Sequence, residues 1–264
     1  MISKIVIFTD LDGTLLHNKT FKFENIRQYI KNLLSKNISI IPNSSKTKAE
    51  ILNFCQELEE ELPFIVENGA AIYKMNLVNS DFPEKIILSR DKEEILNVFF
   101  KKIPKELISK CEFVLKLKKD EQLKIFGLSE KHLIYASERE FSVPLIFKGN
   151  KVEKNKLFRL AYNMGLTMQE GGRVINLSDK VSKSSAMKKV SRIFEKTEKQ
   201  ELKIIGVGDN FNDLDMLKSS DIACLVFNEK FKLDTLNINN CLVSKKPAPE
   251  GWEEVVKMAL EKIQ

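Results

Sequence analysis

The 264-residue chain is 43% hydrophobic and 30% charged, a composition that excludes a disordered polypeptide and leaves material for one large or two medium domains. No apolar run reaches the roughly 18 residues of a membrane span, and Ile5-Val6-Ile7-Phe8 is too short a run after Lys4 for a signal peptide, so a cytoplasmic address is expected. The net charge of +6 is spread over separated pairs such as Lys101-Lys102 and Lys188-Lys189, a field that attracts a small anion without forming a nucleic-acid patch.

In chain order, an apolar strand over 4–8 leads to a helix over 23–35, a strand over 38–42, a helix over 46–60 and a strand over 63–67. Ile51, Leu52, Cys55 and Leu58 share one face of the 46–60 helix, opposite a Glu-rich side. From 79 to 180 the pattern changes. A strand at Ile86-Ile87-Leu88, a helix over 91–101 and a polar-alternating strand over 112–117 precede helices over 120–127 and 130–138. A strand at 145–147, a helix over 151–163 and two strands within 166–177 follow, the last two joined at a Gly171-Gly172 hairpin turn. Alternation then resumes with a helix over 183–196, a strand over 203–207, a helix over 212–218 and a strand over 222–226. A final helix after Gly251 turns Trp252, Val255, Val256, Ala259 and Leu260 inward. This order predicts an α/β fold: a Rossmann-like doubly wound parallel sheet built from 1–78 and 181–264, with 79–180 an inserted α+β cap domain.

Four cysteines without paired spacing and two histidines, His17 and His132, argue against a disulfide or zinc framework and against histidine-based catalysis. The chemistry lies elsewhere. Asp10 and Asp12 leave the first strand one residue apart, and like charges that close oppose each other's ionisation unless a cation separates them. A divalent cation, with one Asp kept as a nucleophile, accounts for the pair; a solvated Asp-Gly turn is the alternative. Ligands of open parallel sheets bind beyond the carboxyl ends of the strands, where three more polar segments fall. They are Asn43-Ser44-Ser45-Lys46, Lys183-Ser184-Ser185, and Gly208-Asp209-Asn210-Phe211-Asn212-Asp213. Singly, each has a structural explanation: Ser44 or Ser45 would cap the 46–60 helix, Lys183 would be a surface lysine, and Asn212 or Asp213 would cap the 212–218 helix. Gly206-x-Gly208 lacks the third glycine of a dinucleotide fingerprint. Jointly, the four segments point to one site.

Asp-x-Asp, Ser, Lys and Gly-Asp…Asp in this order resemble the four motifs of the haloacid-dehalogenase-superfamily phosphatases. The long insertion resembles the type IIB subgroup with its C2B cap, as do Phe64-Ile65-Val66-Glu67-Asn68-Gly69-Ala70 and Asp213-Leu214-Asp215-Met216-Leu217. A narrower resemblance, to the mannosyl-3-phosphoglycerate phosphatase family, rests on Ser45-Lys46-Thr47, Gly127-Leu128-Ser129, Glu138-Arg139-Glu140-Phe141-Ser142-Val143-Pro144, Gly171-Gly172-Arg173 and Pro249-Glu250-Gly251-Trp252. Two positions depart from the pattern. Ser184 follows Lys183 where Gly is usual, leaving Lys180 as an alternative lysine, and Ser44 stands where the narrower family carries Thr.

The resemblance implies a Mg²⁺-dependent phosphomonoesterase working through an aspartyl-phosphate on a small sugar phosphate, mannosyl- or glucosyl-3-phosphoglycerate, with no nucleic-acid or membrane partner. Another sugar phosphatase, of the sucrose-phosphate type, and a phosphomannomutase-type phosphomutase remain open. Asp10 would be the nucleophile, Asp12 the acid and base, and Ser44 and Lys183 the phosphoryl contacts. Asp10, the Asp12 carbonyl and Asp209 would ligate the metal, with Asp213 a water-mediated ligand or an orienting residue. Ser45, Lys46, Asn68, Arg139, Gly172, Arg173 and Asn212 would contact substrate, with Lys46, Arg139 and Arg173 suited to a glycerate carboxylate. Glu140 and Ser142 are further candidates for sugar hydroxyls, and a monomer or homodimer is expected.

Overall fold

The structure, a computed structural model, describes residues 3–170, 173–197, 201–229, 238 and 240–263. Its first strand, β1 (Lys4–Thr9), is an interior strand buried from Val6 onward. A strand covered on both faces needs a continuous apolar run, which Val6-Ile7-Phe8 supplies. β1 pairs in parallel with β2 (Ser39–Pro42) on one side and β10 (Leu202–Gly208) on the other. β11 (Ile222–Leu225) and β12 (Leu242–Val243) extend the sheet, giving the order β12-β11-β10-β1-β2. Thr9 lies opposite both Pro42 and Val207, so the strands end at a common edge. The order reverses between β1 and β10, the switch point at which such sheets bind ligands.

Helices cover this sheet as the apolar stripes direct. α1 (Glu24–Ser35) buries Ile26, Ile30 and Leu33. α10 (Glu250–Ile263) buries Trp252, Val255, Val256 and Ala259 and packs on α1, where the Tyr29 and Trp252 rings meet edge-on at 6.2 Å. α8 (Lys183–Thr197) and α9 (Leu214–Lys218) pack on each other and on β10. A hairpin of β3 (Phe64–Val66) and β4 (Ala71–Tyr73), with β5 (Lys85–Ile87) beside it, is tied to the main sheet by a parallel bridge from Ile65 to Asn43.

Residue contacts divide the chain into two compact units: 1–45, 54–86 and 182–264, and 46–53 with 87–181. The division falls inside α2 (Lys48–Leu58). The second unit is a four-stranded antiparallel sheet in the order β6 (Cys111–Phe113), β7 (Ser142–Phe147), β9 (Ile175–Asp179), β8 (Leu166–Glu170). Val143, Leu145, Leu166, Met168, Ile175 and Leu177 turn to one face, against Ile95 and Phe99 of α3 (Lys92–Lys102) and Leu157 and Ala161 of α7 (Lys151–Asn163). Because side chains alternate along a strand, Ser142, Pro144, Thr167, Gln169, Asn176 and Ser178 belong to the opposite face. α4 (Lys105–Ile108), α5 (Lys119–Phe126) and α6 (Glu130–Ser137) complete the unit.

Two expected elements differ. The strand predicted over 112–117 ends at Phe113, and Val114–Lys116 forms a 3₁₀ turn. Phe113, Leu115 and Leu117 suggest alternation, yet the fully buried side chain is Val114, of the opposite parity. The strand expected at 145–147 begins earlier, at Ser142, because Ser142 and Pro144 pair with Ser178 and Asn176 on the polar face. The Gly171-Gly172 turn lies outside the described residues. No helix of the described residues is long and apolar enough to cross a membrane.

Candidate active site

At the carboxyl edge of the first unit, the ladder continues one residue past each strand: Asp10 N–H donates to Val207 O (2.9 Å) and Asn43 N–H to Thr9 O (2.8 Å). Asp10 therefore stands on the edge between the ends of β2 and β10. Beyond it the chain turns tightly, with the Leu11 carbonyl accepting from the N–H groups of Thr14, Leu15 and Leu16. Gly13 makes the turn at φ +82°, and a β-carbon there would fall 2.7 Å from Asp209 Oδ2. Only glycine allows the two loops this approach.

Lys183, the first residue of α8, is 1% exposed and sends its ammonium between two carboxylates, 2.6 Å from Asp10 Oδ1 and 2.7 Å from Asp213 Oδ1. Burial alone would lower its pKa, but Asp10 and Asp213 outweigh burial and raise it above the ordinary lysine value. Lys180, the alternative lysine, is exposed and donates to the Tyr162 hydroxyl at 2.9 Å. Asp213 accepts through Oδ2 from the backbone N–H groups of Asp209 (3.1 Å) and Asn210 (3.2 Å). A β-carbon at Gly208 would lie 2.4 Å from the Asp213 β-carbon, so the loop after β10 also depends on glycine.

Asp209 accepts from Thr14 Oγ1 (3.0 Å) and Asn228 Nδ2 (2.8 Å). Burial first, then Asp213 and Asp10, push its carboxyl up to about 8. Burial raises Asp213 to about 6, with Asp10 adding to the rise and Lys183 opposing it. One carboxylate oxygen from each of Asp10, Asp209 and Asp213 lies within 4.8 Å of the other two. Three buried carboxylates against one ammonium leave excess negative charge, and an all-oxygen donor set fits a hard divalent cation.

Asp12 is half-buried, its backbone bridged to Leu16. Ser44 is wholly buried, its N–H donating to Ile65 O and its carbonyl accepting from Asn68 N–H (2.9 Å). Glu67, Asn68 and Gly69 all have positive φ, and a β-carbon at Gly69 would meet Ser182 O at 2.2 Å, beside Lys183. Ser45 is half-buried and Asn212 exposed. Neither Ser44 nor Ser45 caps α2. Thr47 does, its hydroxyl accepting from Glu50 N–H (3.2 Å) while Glu50 Oε2 accepts from Thr47 N–H (2.9 Å). Nor does Asp213 cap α9 through its side chain, both of its oxygens being turned to Lys183 and the Asp209 loop.

The second unit holds the other expected residues. Lys46 is buried and paired with Glu50 at 3.1 Å. Burial works to raise the Glu50 carboxyl, but Lys46 and Arg139 outweigh it and hold it below the usual value. Arg139 is buried and donates through Nη1 to Ser142 Oγ at 2.9 Å. Arg173 is exposed and lies on Gly127, where a β-carbon would come within 2.3 Å of its Nη1. Gly172 lies outside the described residues.

Thr14 and Asn43 fall within strand-end polar segments whose pattern does not give them a role, and Asn228 lies outside every such segment. Asn43, fully buried, donates through Nδ2 to the Lys183 carbonyl at 3.0 Å. Under Asp10, the Trp252 indole donates to Thr9 Oγ1 at 2.9 Å, and that hydroxyl donates to the Asp10 carbonyl at 2.7 Å. Thr14, four residues after Asp10, and Asn43, at the end of the second strand, carry a positional signal; Asn228 does not.

An open α/β sheet with carboxylates and a buried lysine gathered at its switch point is the architecture of a phosphoryl-transfer hydrolase. The chain belongs to the haloacid dehalogenase-like hydrolases, whose family model matches residues 7–236. It is 32% identical to a glucosyl-3-phosphoglycerate/mannosyl-3-phosphoglycerate phosphatase of Persephonella marina, covering 98% of each chain. It is 31% identical to a mannosyl-3-phosphoglycerate phosphatase of Pyrococcus furiosus, over 84% of this chain and 90% of that one. The fold is similar to that of a haloalkanoate-superfamily phosphatase of Bacteroides thetaiotaomicron, with a TM-score of 0.69 at 15% identity over 99% and 95% of the two chains.

Proposed function

We propose that this hydrolase is a Mg²⁺-dependent phosphomonoesterase that converts mannosyl- or glucosyl-3-phosphoglycerate to the hexosylglycerate and inorganic phosphate. The observation that carries the reaction class is the Lys183 ammonium held at 2.6 and 2.7 Å between Asp10 and Asp213, with Asp209 beside them. Likeness along 98% of both chains to the Persephonella marina phosphatase supports the substrate.

In this reading an Asp10 carboxylate oxygen attacks phosphorus, the bond to the glycerate oxygen breaks, and Asp12 gives that oxygen its proton. Asp12, now a carboxylate, takes a proton from the water that attacks the aspartyl-phosphate, releasing phosphate and restoring Asp10. Lys183 and Ser44 hold the phosphoryl oxygens. Asp10, the Asp12 carbonyl and Asp209 would hold Mg²⁺, which when bound supplies charge to offset repulsion between carboxylate and phosphate. Asp213 spends one oxygen on Lys183 and the other on two backbone N–H groups, so it orients the site.

The test is phosphate release with Mg²⁺ from the two hexosyl-3-phosphoglycerates, sucrose phosphate and simple hexose phosphates. Preferred release from a hexosyl-3-phosphoglycerate is expected. Preference for another ester overturns the substrate, and an isomerised sugar phosphate without free phosphate overturns the hydrolase.

A further inference from the structure

The second unit contains a polar surface whose hydrogen bonding is incomplete. On the sheet face opposite the apolar core, Ser142, Ser178 and Thr167 stand side by side across β7, β9 and β8, and Pro144, Asn176 and Gln169 form the next row. Gln169 and Asn176 are direct cross-strand partners, so their β-carbons are about 5 Å apart. Gln169 Oε1 and Asn176 Oδ1 are both buried, and neither accepts a hydrogen bond among the described residues. A buried acceptor without a donor is costly, and two side by side are not expected of a surface serving only the fold. The neighbouring row differs in character. There Arg139 donates to Ser142 Oγ at 2.9 Å, and Lys46 and Arg139 lie close enough to Glu50 to hold its carboxyl down against burial.

We infer that Gln169 and Asn176 form a hydroxyl-recognition site for the sugar part of the substrate, with Arg139 and Lys46 marking the end of the same face that receives the substrate's carboxylate. This rests on the proposed hexosyl-phosphoglycerate chemistry and extends it. The assignment follows from what each group lacks. An amide oxygen needs a donor, and at neutral pH carboxylate and phosphate groups only accept, whereas a sugar hydroxyl donates. Arg139 and Lys46 are donors only and suit an anion. The two rows are two residues apart along each strand, about 7 Å. A ligand bearing hydroxyls and a carboxylate can engage both.

The experiment compares wild type with Gln169→Leu, Asn176→Leu and the double variant, using mannosyl-3-phosphoglycerate and 4-nitrophenyl phosphate, which has no hydroxyl. The ratio of kcat/KM between the two esters is expected to fall about tenfold for each acceptor removed. Thermal stability of the variants is expected to hold or rise, because an unpartnered buried acceptor is replaced by an apolar group. An unchanged ratio in a folded double variant overturns the assignment. Should the variants fail to fold, wild type alone decides, on monodeoxy analogues of the mannosyl group. At least one should lose about tenfold, and equal turnover of all overturns the site. If wild type prefers a different sugar phosphate, the functional reading fails by itself, and the ratio is then measured on that ester. Loss there keeps the hydroxyl site, and no loss discards it.

Discussion

The carboxyl edge of the first unit and the polar sheet face of the second differ in which groups are paired. Around Asp10 the charged groups are committed to one another: Lys183 to two aspartates, Asp213 to Lys183 and two backbone N–H groups, Asp209 to Thr14 and Asn228. Buried amide oxygens with no donor among the described residues occur in both units, Asn43 Oδ1 and Asn68 Oδ1 in the first and Gln169 Oε1 and Asn176 Oδ1 in the second, but only the latter two belong to cross-strand partners on one sheet face. Chemistry that is the same for every phosphate ester favours a rigid, preorganised constellation. Recognition of one ester leaves bonding capacity for the ligand to complete. The first unit should therefore respond to mutation through rate, and the second through substrate preference.

The largest break is expected from Asp10→Asn, which keeps shape and removes the proposed nucleophile. Turnover should fall by about 10⁴-fold or more with circular dichroism unchanged, and Mg²⁺-dependent activity within tenfold of wild type contradicts the assignment. Lys183→Met follows. It removes the ammonium from between two carboxylates and should cost about 10²–10³-fold in kcat and about 3 kcal/mol of stability by denaturant titration. A loss confined to KM would show that Lys183 does not act on the reacting phosphoryl group.

The metal term sharpens the same side of the contrast. The Asp209 carboxyl is raised from its ordinary 3.8 to about 8, first by burial and then by Asp213 and Asp10. A raised carboxyl binds its proton more tightly in the folded than in the unfolded chain. Its contribution is complete below pH 3.8 and is lost as pH rises toward about 8. A divalent cation competes with that proton. The melting-temperature gain from Mg²⁺ should then be larger at pH 8 than at pH 5, and an equal gain at both would detach metal binding from these carboxylates. Chelation should stop turnover reversibly.

The smallest effects belong to the second unit. Arg173→Ala should lower kcat/KM about tenfold on hexosyl-3-phosphoglycerates and less on plain hexose phosphates. Gly127→Ala should reproduce this preference change, because a β-carbon would fall 2.3 Å from Arg173 Nη1. Equal losses on both ester classes would remove Arg173 from carboxylate recognition.

What the sequence shows follows the same division. Asp10, Lys183, Asp209 and Asp213 were legible because a parallel sheet brings its strand ends together, so spacing along the chain becomes proximity in space. The supports were less legible. Asn43 stands in a strand-end polar segment that does not specify its contact with Lys183, Asn228 belongs to no local pattern, and Trp252 reaches Thr9 across 243 positions. Thr47-Lys48-Ala49-Glu50 carried a capping-box signature that pointed to Thr47 over Ser44 and Ser45. In the second unit, period-two alternation misplaced the end of β6, because Val114 turns inward as the chain leaves the sheet. Gln169 and Asn176 gave no signal, since only the β8–β9 register makes them neighbours.

The most direct test of the account is to quench wild-type enzyme in acid during turnover of mannosyl-3-phosphoglycerate with Mg²⁺ and locate the phosphoryl group by peptide mass spectrometry. A phosphorylated Asp10, absent when Mg²⁺ is withheld, is the expected result. Rapid turnover with no modified Asp10, or with the phosphoryl group on another residue, would contradict it.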